Sequence, residues 1–215
     1  LYHPDSILEN STSLLNKEHT HYVVNVMRLK RGSEVNFFNK NGEWNSEIIF
    51  LNKDRVEVKF LKKVKLACST SKIELAVCLI KKNPMEIILQ KATELGVSRI
   101  IPIISERTEV KELNYERAKK IIIEATEQSN QLNPPEISEI IKLKKFIEQK
   151  EKTSQLLFAD VNAKNKIKSK DLNTEKPIVI LIGPEGDFSP NERELIVSKS
   201  NTISFSLSKN ILRSD

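Results

Sequence analysis

One turn in this chain displays a carboxylate between two glycines where a ligand could bind. Glu185 stands in Gly183-Pro184-Glu185-Gly186, directly after the apolar residues 178–182. Five apolar residues that stop abruptly at Gly and Pro read as a buried parallel strand opening into a tight turn. Two of the five glycines of the protein sit in this turn. Glycine admits positive φ, or lets a ligand or another backbone come close with no Cβ in the way, and Pro184 stiffens the loop. Rigid loops at the carboxyl ends of sheet strands are where open α/β folds bind ligands. The plainer alternative is an ordinary strand-to-helix turn. The segment is neither a phosphate-cradling GxxxxGK[ST] loop nor a GxGxxG dinucleotide fingerprint.

Other chemistries find less support. His19 and His21 are two apart, on different faces of a helix, and no Cys, Glu or His completes a ligand set around them, so no metal is expected. Cys68 and Cys78 form no CxxC pair and read as reduced, packed thiols. Glu106-Arg107-Thr108 emerges after the apolar residues 100–104, at the end of a strand where sites gather, or as a plain solvated loop.

The elements that must position these groups form two rhythms. Residues 17–29 carry apolar side chains at near-helical spacing after Asn16, a candidate N-cap, and predict a short amphipathic helix that stops at Arg31-Gly32. Three β segments follow at 34–38, 44–51 and 55–60, and strands this short and close suggest a small antiparallel barrel. Residues 64–72 are polar and small and read as a linker. Beyond them strands and helices alternate: strands at 73–80, 99–104, 155–159, 178–182 and 202–205, helices at 84–95, 114–129, 142–149 and 190–199. That alternation predicts a mostly parallel sheet covered by helices on both faces. Two helix starts are expected, Asn83-Pro84 with Glu86 and Ser189-Pro190 with Glu192, and one stop, Gly96. Residues 150–176, rich in Lys, Asn and Ser, predict an exposed connection.

Composition bounds the rest. With 215 residues there is room for one large or two small domains. No apolar run approaches ~18 residues, so no membrane span is expected, and the first residues lack a signal-peptide pattern; the reduced, packed cysteines are those expected of a cytoplasmic protein. The net charge of +6 suits a polyanionic partner. Residues 1–70 hold eleven Lys/Arg against eight Asp/Glu, and residues 71–215 hold 24 against 21. The front third is therefore about twice as basic per residue, and nucleic acid would dock there.

Several motifs together carry a resemblance. GPEGDFS at 183–189, the SPNE helix start, and SLSKNILR at 206–213 follow QKATELGV at 90–97, IIP at 100–102, ER at 106–107 and EATEQ at 124–128, with VMRLK at 26–30 and Gly32 ahead of them all. In this order they resemble the ribosomal RNA small subunit methyltransferase E family, uridine-N3 methyltransferases of the knotted α/β (SPOUT) class. The resemblance implies a PUA-like RNA-binding β-barrel over 1–68 and a SPOUT methyltransferase domain over 72–215 with a deep trefoil knot. It also implies S-adenosyl-L-methionine as methyl donor, no metal, 16S rRNA within the assembled 30S subunit as substrate, and a homodimer.

Carried over by position, the donor-pocket residues would be Phe158, Ile182, Gly183, Gly186, Leu207, Ser208, Ile211 and Leu212. For the N3 proton of uridine, Glu185 would be the accepting carboxylate. Arg213 would stabilise the anion, with Arg28 contributing from its own chain or from a partner. Alternatively Glu185 only holds the loop and Arg213 only ties down the C-terminus. Phosphate contacts would come from Arg28, Lys30, Arg31, Lys62, Lys63 and Lys65. Asp187, Ser208 and Asp215 depart from the family pattern, which usually has glycine, glycine and glutamate there, and the sequence reads as trimmed at both ends. Two other functions stay open: a related knotted methyltransferase acting on another RNA, and an RNA-binding ribosome-assembly module without catalysis.

Overall fold

The computed structural model describes residues 1–67, 71–164, 166–173 and 175–207. The chain divides into two compact units, Leu1–Ser69 with Asn130–Asn133 and Thr70–Ser129 with Pro134–Asp215.

The first unit is built on a four-stranded antiparallel sheet. Strands β1 (Thr12–Leu14), β2 (Glu34–Asn39), β3 (Gly42–Leu51) and β4 (Val56–Leu66) are ordered β1-β4-β3-β2. The N-terminal segment borders both edges: Tyr2 bridges to Phe38 of β2, while Thr12 pairs with Lys59 of β4. Alternate residues of β3 and the first half of β4 point inward, so Trp44, Ile48, Val56, Val58 and Phe60 meet Phe37 in one core. Two features differ from the sequence expectation. β4 runs on to Leu66, because Lys62, Lys63 and Lys65 keep pairing with β3 through two register shifts. A strand exposed on both faces carries no alternation to read. The expected helix is α1 (Lys17–His21), with the Asn16 side chain accepting from the His19 N–H, and it widens into a π turn over Tyr22–Val26.

The second unit is a parallel sheet with helices on both faces, as the alternation predicts. Its strands are β5 (Ile73–Cys78), β6 (Arg99–Ile104), β7 (Glu136–Ile137), β8 (Ile141–Lys142), β9 (Gln155–Ala159), β10 (Ile178–Ile182) and β11 (Thr202–Phe205), ordered β11-β9-β10-β5-β6-β7, with β8 also on β6. The helices are α2 (Lys82–Glu94), α3 (Tyr115–Gln128), α4 (Leu143–Lys150) and α5 (Pro190–Val197). Alternation within each strand sorts the core. Val77, Leu79 and Ile100 pack under Ile88 and Leu89 of α2 and Ile121 and Ile122 of α3. Ala76, Ile101, Phe158, Val179 and Leu181 pack under Phe146 and Ile147 of α4 and Ile196 of α5.

α2 ends as expected. Gly96 takes φ +81 and donates to the Thr93 carbonyl, while Val97 donates to the Ala92 carbonyl, a Schellman closure. Its start does not follow the expectation. The helix begins at Lys82 with no side-chain cap, so Asn83 and Pro84 lie inside the first turn, where the missing proline N–H would have had no partner anyway.

Candidate active site

The strand order reverses between β5 and β10. The chain leaves β5 toward β6, crosses back to β9, and returns to lay β10 beside β5. At such a switch point the loops leaving adjacent strands diverge and open a crevice at the carboxyl ends. A cavity of about 200 Å³ lies there, lined by Leu79, Ile80 and Lys81 after β5, Arg107, Glu109 and Val110 after β6, and Pro184, Glu185 and Gly186 after β10.

The β10 loop is held from below and from the side. Asp187 donates its N–H to the Pro184 carbonyl, which places Glu185 and Gly186 at the two corners of a closed turn. Glu185 is exposed. Neither Gly183 nor Gly186 takes a positive φ; Asp187 does, at +58, and its carboxylate accepts the Phe188 N–H at 2.8 Å. Asp is among the few side chains that tolerate this region, so it can stand where the family pattern has glycine. Gly183 is required for another reason: a Cβ there would lie 3.0 Å from the Phe188 ring. Phe188 is buried against Phe158, ring centroids 5.6 Å apart.

Glu192 joins two loops. The capping box forms as the sequence predicts, with Ser189 Oγ accepting from the Glu192 N–H and the Glu192 carboxylate accepting from the Ser189 N–H. The second carboxylate oxygen accepts from the Glu106 N–H at 2.8 Å, 86 residues away in sequence. On the next residue, Arg107 Nη1 donates to the Gly186 carbonyl at 2.9 Å. The base of this loop is a hydroxyl pair, Ser105 Oγ and Thr108 Oγ1 at 2.8 Å. At the end of β9, Asp160 receives a two-pronged bond from Arg193 of α5, and that hydrogen bond holds the guanidinium above its ordinary range against the effect of burial.

Cys78 lies under the site and does not act in it. Burial pushes its thiol up to about 12, partly offset by Ser105 and Thr108, so it stays neutral and unreactive. Among the described residues no group of three His, Cys, Asp or Glu side chains is placed to hold a metal ion.

Of the residues singled out by sequence, the structure brings Glu185 and Gly186 to the cavity and sets Gly183 and Ile182 immediately beneath them. Phe158 is core, 1% exposed, and supports Phe188 instead of lining the cavity. Leu207 is 60% exposed just past β11. Ser208, Ile211, Leu212 and Arg213 lie outside the described residues, as does the segment expected to thread a knot. Arg28, Lys30 and Arg31 are exposed on the first unit, and Arg28 holds φ +53. Lys62 is exposed; Lys63 sits over the Trp44 ring, 4.9 Å from its centroid, and Lys65 donates to the Asn130 carbonyl. Lys81 carried no signal in the sequence, whereas Arg107 had one, its place after a strand of the same sheet, which left a site residue and a solvated loop both open; the structure puts it at the cavity.

Known proteins share this architecture. The family described as RNA methyltransferase domain matches residues 67–215, and the one described as RNA methyltransferase PUA domain matches residues 15–61. Ribosomal RNA small subunit methyltransferase E of Rickettsia conorii is 35% identical over all of this chain and 89% of its own length. The protein of the same name from Buchnera aphidicola subsp. Schizaphis graminum is 30% identical over 96% and 86%. The crystal structure of the Neisseria gonorrhoeae enzyme of that name, bound to S-adenosyl methionine, superposes with a TM-score of 0.87 at 26% identity, covering 99% of this chain and 90% of that one. A barrel of PUA type ahead of a parallel α/β domain, matched along its whole length, means that this chain belongs to the RNA methyltransferase family of the ribosomal RNA small subunit methyltransferase E kind.

Proposed function

We propose that this protein transfers the methyl group of S-adenosyl-L-methionine to N3 of a uridine in 16S ribosomal RNA, in the cytoplasm, on the assembled 30S subunit and as a homodimer. The observation that carries the reading is that Glu185 and Arg107 face one small cavity at the switch point of a sheet belonging to this family.

The volume argues for what the cavity holds. About 200 Å³ is below the ~300–1,000 Å³ of pockets that enclose a ligand the size of the donor, and suits a single base turned out of its stack. The donor has its own place beside it. The ends of β11, β9 and β10 lie side by side, with the Asp160 N–H bonded to the Phe205 carbonyl. They offer main-chain groups, that of Gly183 among them, and the exposed Leu207 as an apolar wall, which fits a nucleoside with a sulfonium arm. Ser208, Ile211 and Leu212 complete this wall in our reading.

When bound, S-adenosyl-L-methionine supplies an activated methyl group and needs no metal to do so. The protein's part is to make N3 a nucleophile. Glu185, at a turn corner fixed by Pro184, Asp187 and Arg107, accepts the imide proton. Cations at the cavity rim stabilise the charge left on the ring, and Arg213 and Arg28 join them in our reading. RNA is held through its phosphates by the exposed basic residues of the first unit.

Incubating the protein with labelled donor and 30S subunits lacking the modification tests this reading. Digestion to nucleosides should place the label in N3-methyluridine. Label on a ribose hydroxyl, or on another base, would replace it with a different methyltransferase activity. No transfer together with no heat of donor binding would leave an RNA-binding module.

A further inference from the structure

We propose that Arg107 is the substrate-facing cation of this reaction, donating to the uracil carbonyl oxygen on which charge gathers as N3 loses its proton. The inference rests on the methyltransferase reading and assigns to Arg107 the role that sequence alone gave to Arg213 and Arg28.

The geometry supports it in three ways. First, N3 of uracil is flanked by O2 and O4, so a carboxylate taking the N3 proton and a cation serving an adjacent oxygen must be neighbours. Arg107 and Glu185 line the same base-sized space. Second, their spacing is fixed through a single residue. Arg107 Nη1 is bonded to the carbonyl of Gly186, the next residue after Glu185, so movement of one carries the other. Third, the guanidinium is exposed, and among the described residues no carboxylate pairs with it. Its bond to Gly186 uses one of five N–H donors and leaves others for a ligand in the cavity, which Glu109 and Glu185 also line. The backbone behind it is rigid, pinned by the Glu106–Glu192 bond and the Ser105–Thr108 turn, and preorganised donors are the kind that stabilise developing charge.

The step balances. The N3–H bond breaks and its proton goes to the Glu185 carboxylate. The N3 electron pair forms the new bond to the methyl carbon, and the pair of the breaking carbon–sulfur bond stays on sulfur. Arg107 keeps its protons and supplies hydrogen bonds to O2 or O4.

The test is single-turnover methyl transfer from labelled donor to 30S subunits by wild type, Arg107→Ala and Arg107→Lys, with donor affinity measured by calorimetry. Arg107→Ala should slow transfer by at least ~100-fold while donor affinity stays within about threefold, and Arg107→Lys should fall between. Methylguanidinium added to Arg107→Ala should restore part of the rate. If Arg107→Ala does not fold, Arg107→Gln carries the same comparison. Transfer at the wild-type rate by the Ala variant overturns the inference and leaves the N3 reading intact. Loss of donor affinity in step with rate, without rescue, also overturns it, because Arg107 then merely holds the loop. Absence of transfer by the wild type removes the methyltransferase reading and this inference with it.

Discussion

Gly183 and Gly186 look alike in sequence and do different work. A methyl group at position 183 would meet the Phe188 ring at 3.0 Å, whereas at 186 its nearest neighbours are Arg107 carbons at 3.9 Å. Gly183→Ala is therefore expected to cost about 1–3 kcal/mol, the usual scale of overpacking, and Gly186→Ala to leave the urea midpoint nearly unchanged. Equal midpoints for the two variants would show that Phe188 can move aside. The glycine-proline turn and its lone carboxylate were legible because Gly and Pro punctuate the chain strongly. The left-handed position fell on Asp187, which sequence marked only as a departure. The contacts of Arg107 were not legible, since they are made with a residue 79 positions away.

Among the elements, α5 is the one that fastens the site. Ser189 contributes a capping bond, while Glu192, 9% exposed, satisfies the N–H groups of both Ser189 and Glu106. Removing the serine hydroxyl should cost about 1 kcal/mol. Glu192→Ala should cost more, about 1–3 kcal/mol, because it strands the buried Ser189 N–H and also releases the part-buried Glu106 N–H. It should also lower transfer by freeing the loop that carries Arg107. Chemical denaturation of both variants checks the order, and a smaller loss for Glu192→Ala would mean the loops are held some other way. α5 was readable from sequence because Ser189, Pro190 and Glu192 lie within four residues. β1, β7 and β8 were not, being two or three residues long, too short for a period of two to show. The outer half of β4 was hidden for a related reason: Lys62 and Lys63 lie past the strand expected at 55–60 and Lys65 lies in the expected linker, and only their pairing with β3 makes them strand.

At the scale of the whole molecule, charge and chemistry divide between the units. The first carries the exposed row of Lys62, Lys63 and Lys65 and the Arg28–Arg31 turn; the second carries the cavity. Changing Lys62 and Lys63 together to Glu should weaken RNA binding and flatten its salt dependence by about 0.7–0.9 for each phosphate that is no longer neutralised, without changing donor affinity. Titrations at several salt concentrations read this directly; a parallel fall in donor affinity would place the damage in folding. The alternation of strands and helices made the second unit's architecture legible, because the apolar runs of β5, β6, β9 and β10 are five or six residues long and mostly buried. The site remained half-read, since its walls come from three loops that meet only in the folded sheet.

The central claim is that Glu185 takes the N3 proton at this cavity. Single-turnover transfer by Glu185→Gln tests it most directly, since the amide keeps the size of the side chain and removes its basicity. A rate at least ~100-fold below wild type, with donor and RNA affinities unchanged, is the predicted result. A variant that methylates uridine as fast as the wild type would contradict it.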